Sequence, residues 1–294
     1  MTEIISKELL VNEAAYLSKE HDDVMAIMCC GSQNYGLDID SSDFDTKAII
    51  VPTFEDLVRG TQVSKTIAFD CGLCDVKDVR IYIENLKKQN VNYVETLFTE
   101  HRIINPRYRS EFEQLLEKKE EIAVIDKERS LKAMCGMLDQ AKEKLKKSCE
   151  ARDVTAANKS YVNIFKCALM ADKCIKGCSY KEVLDCSKIR TLRDKDIPLS
   201  QMLSHAEHLS EKTEKAIDQW LLFDALDADA HTERWLDAWV VELIRSACLA
   251  TDSSAAEEPQ PPIENAAASS DTQKRIERKT FFSRVKDSVG RSQP

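Results

Sequence analysis

No apolar run in this 294-residue chain approaches the ~20 residues that cross a bilayer as a helix, so a membrane-spanning helix is excluded. Glycine is equally scarce. Of seven in all, only Gly136 and Gly177 fall between Gly72 and Gly290, too few for a meander of tight turns, so that stretch reads as packed helices. The eleven cysteines show no regular spacing, and residues 1–12 carry acids without a long apolar stretch, the opposite of a signal peptide. The expectation is a reducing, cytoplasmic setting rather than a disulfide framework. Acids outnumber bases, for a formal charge of −9, which argues against a uniformly basic nucleic-acid surface and leaves a local one open. No serine–histidine or cysteine–histidine triad can be argued from the residues present.

What is present divides the chain. Ile4, Ile5, Leu9, Leu10, Ala14 and Leu17 recur near a 3.6 period and predict a helix over 4–19. Val24–Cys30 is a nearly continuous apolar run, the pattern of a buried strand. Phe44–Val51 reads as a second strand ended by Pro52, followed by a short helix over 54–59 and strands at 65–69 and 73–77. Asp78 is placed to cap a helix reaching about Gln89. Residues 1–105 are therefore expected to form a small α/β domain. Beyond Pro106 the segments 108–120, 128–148, 155–176, 200–223 and 232–250 read as amphipathic helices, a helical domain over 106–250. From Thr251 the chain turns Ser/Ala/Glu/Pro-rich and is expected to be disordered through 273. Residues 274–294 carry seven Lys/Arg against two acids, with apolar residues between them. They read as a solvated tail or as a segment that docks a partner, a membrane surface or RNA.

The most informative stretch is 31–45, Gly-Ser-Gln-Asn-Tyr-Gly-Leu-Asp-Ile-Asp-Ser-Ser-Asp-Phe-Asp. Asp43 and Asp45 lie two apart at the start of a strand, so their side chains share a face. Paired carboxylates there suit hard divalent cations, which relieve their mutual repulsion. The Gly31-Ser32 bend upstream would offer backbone N–H groups, and a hydroxyl, to phosphate. A phosphate cradle beside paired acids points to metal-dependent phosphoryl transfer, with two Mg²⁺ or Mn²⁺ ions.

This arrangement resembles the nucleotidyltransferases of the DNA polymerase β superfamily, whose signature is Gly-Ser, a helical segment, then Asp-x-Asp. Gly31-Ser32-x-x-Tyr35-Gly36-Leu37 with Ser42-Asp43-x-Asp45-x-Lys47 is similar to its RNA-ligase-associated branch, described as predicted nucleotidyltransferases. So are Asp75-Val76 with Asp78-Val79-Arg80-Ile81-Tyr82, and Asn90-Val91-Asn92-Tyr93-Val94-Glu95-Thr96-Leu97-Phe98, where Val91 stands in place of proline. The likeness covers residues 24 to about 110, fades through the helical half and is absent after 225. It implies an α+β nucleotidyltransferase domain with a short mixed sheet, then a helical bundle. It also implies transfer of a nucleoside monophosphate from an NTP to a hydroxyl acceptor, an RNA end before a protein side chain or a small molecule, with release of pyrophosphate. Such enzymes need a third acid on a following strand. Asp75 matches that position best, with Asp70 as the rival. Lys47 would neutralise phosphate charge or serve as a surface counter-charge, and Tyr35 would stack on a base or pack beneath the loop. Lys159, Lys166, Arg190 and Arg193 are candidate basic contacts from the helical half. A catalytically silent nucleotide- or RNA-binding protein, antitoxin-like, is the alternative reading. Cys71-x-x-Cys74 lacks a second pair for zinc, and His205-x-x-His208 lacks an acidic partner.

Overall fold

The helix at the start of the chain buries Ser6, Leu10, Glu13 and Leu17, one residue per turn along a single face. In the computed structural model, which describes residues 3–21, 23–40, 42–223 and 228–254, this is α1 (Glu3–Leu17). It covers one side of a five-stranded sheet. The strands are β1 (Val24–Cys29), β2 (Thr46–Ile50), β3 (Ser64–Phe69), β4 (Gly72–Asp78) and β5 (Arg102–Ile104), in the order β3-β4-β2-β1-β5. Only the β2–β4 pair is parallel, so the sheet is mixed and the architecture α+β.

Strand parity decides which side chains meet which layer. Cys29, Ala48, Ile50, Cys74 and Val76 pack with Leu10 and Leu17 under α1. Met28 and Ile49, pointing the other way, join a core that runs on into the helices as far as Leu243 and Ala247. The second side is covered first by α3 (Val79–Lys87) and the single turn α4 (Val91–Val94), while α2 (Phe54–Arg59) buries no side chain and lies at the surface. A capping box between Thr53 and Asp56 starts α2. Asp78 caps α3 by accepting the Arg80 amide at 2.8 Å, as its position in the sequence predicts.

The remaining helices are α5 (Arg109–Glu117), α6 (Lys119–Ala123), α7 (Lys127–Glu150), α8 (Val154–Ile175), α9 (Tyr180–Leu184), α10 (Leu199–Phe223) and α11 (Ala230–Ser254). Helices α7, α8 and α10 build a further core from Leu138, Leu145, Tyr161, Ile164 and Met202. Helix α11 runs four residues past the end expected from the sequence; the rest of the tail, 255–294, lies outside the described residues. Among the described residues no helix is long and apolar enough to cross a membrane. All eleven cysteines are free thiols.

Candidate active site

Strand β1 runs into a 3-10 helix, Gly31–Tyr35, over the stretch that the residues alone suggest as a loop and the resemblance implies is a helical segment. Gly31 opens it with φ +84°, a left-handed conformation that side chains disfavour, and a Cβ there would sit 3.9 Å from Asp45 Oδ2. The acids follow on the stretch leading into β2. Asp45 is fixed twice: its carbonyl accepts the Cys30 amide at 2.9 Å, and Oδ1 accepts the Leu73 amide at 3.0 Å. The Asp43 carbonyl takes a hydrogen bond from Gln33 Nε2 at 3.2 Å, while its carboxylate is exposed. Between them Phe44 is buried, and its amide donates to the Cys71 carbonyl at 2.7 Å.

The facing wall comes from α8 and from the 3-10 segment Ser187–Asp194. Thr155, Lys159, Asn163 and Lys166 recur at three- and four-residue spacing, so they form one polar stripe along α8. Lys159 Nζ lies 3.9 Å from Asp43 Oδ2, across the opening. Lys166 Nζ sits 4.1 Å from the centroid of the Tyr35 ring. Asn158 donates from Nδ2 to the Arg193 carbonyl at 3.0 Å. Burial lowers the pKa of Arg193, opposed by the nearby charges of Asp38 and Asp194. The two walls enclose a cleft of about 460 Å³.

Of the residues singled out by sequence, Gly31, Ser32, Asp43 and Asp45 line this cleft together. So do Lys159, Lys166 and Arg193, whereas Arg190 is not among its lining. Tyr35 is buried beneath the turn and also lines the cleft. Asp75 is placed differently. Register pairs it with Lys47, on the sheet face shared with Asp45, but its carboxylate is already engaged. Oδ2 accepts from Lys47 Nζ at 3.1 Å and Tyr93 Oη at 3.2 Å, and Oδ1 lies 3.0 Å from Lys77 Nζ. Burial would raise the Asp75 pKa, but the Lys77 hydrogen bond and the Lys47 charge outweigh it and leave it lowered. Asp70, the rival third acid, sits exposed at the tip of the β3–β4 hairpin. His205 shares a hydrogen bond with Tyr161 Oη at 3.1 Å and, like His208, is exposed. Cys71 donates to Glu13 at 3.7 Å and Cys74 is buried in the core.

No model of a known protein family matches this chain, and neither does any curated protein. Among solved structures, it is similar to a nucleotidyltransferase-like protein from Exiguobacterium sibiricum 255-15. The TM-score is 0.33 and the identity 11%, over 73% of this chain and 78% of that one. A likeness of that degree carries no weight for fold or chemistry, which rest on the residues themselves.

One residue of the site has no assigned role in the sequence reading. Glu95 is 2% exposed, yet both its oxygens accept the Gly31 amide at 3.3 Å, and Oε2 accepts Asn34 Nδ2 at 3.2 Å. The Gly31 N–H expected to face phosphate is therefore turned inward. Burial drives the Glu95 pKa up to about 7, against the lowering effects of Lys166, Asn34, Gly31 and Lys47. The signal available in the sequence was a lone acid among Val91, Val94 and Leu97, all of which are buried.

Proposed function

We propose that this chain is a nucleotidyltransferase that moves a nucleoside monophosphate from an NTP to a hydroxyl acceptor. The observation that carries the reading is the cleft. It sets Asp43, Asp45 and a glycine–serine turn against three cations, Lys159, Lys166 and Arg193. Three fixed positive charges facing two carboxylates suit a polyphosphate bound together with a divalent cation.

The donor set fits Mg²⁺ or Mn²⁺: two aspartates on alternate positions, all oxygen, one of them anchored by the Leu73 amide. No cluster of three or more His, Cys, Asp or Glu side chains arranged for a metal occurs among the described residues, so substrate oxygens would complete the shell. When bound, the cation would polarise phosphoryl oxygens and stabilise the charge of the departing pyrophosphate. The protein side chains do the rest. Lys166 and Arg193 would neutralise the triphosphate from the helical wall, and Ser32 would donate its hydroxyl. Gly31 lets the chain approach closely, having no Cβ to stand off the ligand. Asp75 would hold Lys47 in place rather than meet the cation. In the transfer the acceptor oxygen bonds to the α-phosphorus while pyrophosphate leaves, so alignment and charge supply the acceleration. The motif resemblance favours an RNA end as acceptor.

A second reading has one observation in its favour. Asp75 is neutralised by two lysines, as would suit a module that binds nucleotide or RNA without turning it over. Incubation with Mg²⁺ and each labelled NTP, with and without RNA, separates the two. Pyrophosphate release that disappears in Asp43→Asn supports the enzyme. Tight nucleotide binding without release, unchanged in Asp43→Asn, supports the silent module.

A further inference from the structure

The Gly31–Tyr35 turn is tied to the core through one buried carboxylate, and the ties are unusual for a residue with only structural duties. Glu95 meets no lysine or arginine at ion-pairing distance among the described residues. Its donors are amides: the Gly31 N–H, shared between both oxygens, and Asn34 Nδ2, which also donates to the Cys29 carbonyl at 3.1 Å. A buried anion held by these amides, with the Tyr35 hydroxyl beside it, loses its hydration without a counter-ion in contact. A glutamine would fill the same space without that penalty. Charge at this position therefore has to be explained by what it holds, and what it holds is Gly31, where a Cβ would lie 3.9 Å from Asp45 Oδ2.

We propose that Glu95 is the positioning residue of the phosphate-facing turn: as the carboxylate it fixes the Gly31 amide and Asn34, and so sets the spacing between that turn and Asp45. This rests on the nucleotide reading only where ligand binding is measured. Protonation gives one of the two oxygens a hydrogen and turns it into a donor, leaving a single neutral acceptor for the Gly31 and Asn34 N–H groups, so the hold on the turn weakens as the carboxylate is lost. The groups that bias this proton are Lys166 on α8, Lys47 on β2, Tyr35 of the turn itself, Tyr180 on α9, and Cys29 and Cys30 at the end of β1. The two lysines favour the anion. Burial opposes them, and the balance falls at about 7.

The test uses the full chain labelled with ¹⁵N. In wild type the Gly31 amide proton should move upfield as pH falls, with a midpoint of about 7, because it loses a charged acceptor. In Glu95→Gln it should not move. Binding of magnesium tripolyphosphate, measured by calorimetry, should be roughly tenfold weaker in Glu95→Gln at about pH 8, the two converging at about pH 6. A Gly31 resonance that is flat in wild type overturns the proposal without needing any variant. So does a titration that persists in Glu95→Gln, or equal tripolyphosphate affinity of the two proteins at about pH 8 when both bind it. If neither protein binds tripolyphosphate while Gly31 titrates in wild type alone, the nucleotide reading fails and the positioning role stands.

Discussion

Replacing Glu95 by glutamine should make the protein more stable at mildly alkaline pH, although it loosens the cleft. The sign follows from linkage. Burial raises the Glu95 pKa from 4.5 to about 7 in the folded state. A carboxyl with a raised folded pKa supports the fold fully only below the unfolded value, where it is neutral in both states. That support is lost as pH rises through about 7. At about 1.4 kcal/mol per pH unit, the interval from 4.5 to about 7 amounts to about 3 kcal/mol withdrawn from the wild type. Glutamine does not titrate. Like the protonated acid it keeps one acceptor for Gly31 and Asn34, so at low pH it should match the wild type. Near pH 4 the two proteins should thus be about equally stable, and near pH 8 the variant should be about 3 kcal/mol more stable. Urea denaturation at the two pH values reads this as midpoints that nearly coincide at the acid end and separate by roughly 1 M at the alkaline end. Glu13, also raised by burial, is present in both proteins and cancels in the comparison. A separation of midpoints that is the same at both pH values would refute the reasoning.

Two glycines make opposite predictions. A Cβ on Gly72 would fall 2.5 Å from the Phe44 carbonyl oxygen, so Gly72→Ala must displace backbone between the two aspartates. It should cost about 1–3 kcal/mol in denaturant titration and lower turnover as well. Gly136, inside α7, has nothing within 4 Å of such a Cβ, and Gly136→Ala should raise the urea midpoint by an amount worth about 0.5–1 kcal/mol. Lys166→Ala should weaken magnesium–NTP binding roughly tenfold or more in calorimetry. Arg190→Ala, outside the cleft lining, should leave that binding unchanged.

Local signals were legible in the sequence and register was not. The Asp78 cap and the long helices depend on residues within a turn or two of each other, and they lie where periodicity and capping chemistry put them. Strand β5 was not visible: it is three half-buried residues, and its pairing partner β1 lies more than seventy positions away. The same distinction runs through the site. Gly31, Ser32, Asp43 and Asp45 are close in sequence, and the cleft gathers them. The partners of Asp75 depend on the parallel register of β2 with β4, which sets Lys47 beside it. Nothing in the local residues announces that pairing. Glu95 acquires its role only through tertiary burial, sixty-four residues from the amide it holds.

The parity of β2 explains why this cleft lies where it does. Thr46, Ala48 and Ile50 point to α1, and Thr46 donates to the buried Glu13 at 2.7 Å. Side chains two apart share a face, so Asp43, Asp45, Lys47 and Ile49 must look the other way, toward the helical half. The apolar residues of the strand thereby aim the acids without contacting any ligand. A slip of one residue would turn Asp45 and Lys47 under α1 and expose Ala48, reversing every side chain of the strand at once. Four hydrogen bonds oppose such a slip: Cys30 to the Asp45 carbonyl, Leu73 to its carboxylate, Gln33 to the Asp43 carbonyl, and Phe44 to Cys71. Three of those partners lie on the β1 end, its turn, or β4, so the carboxylates move only if neighbouring strands move with them. The acids are therefore presented at the end of the sheet's central strand, held by its neighbours, and adjustment to a bound ligand falls to the lysines of α8 on their flexible stems.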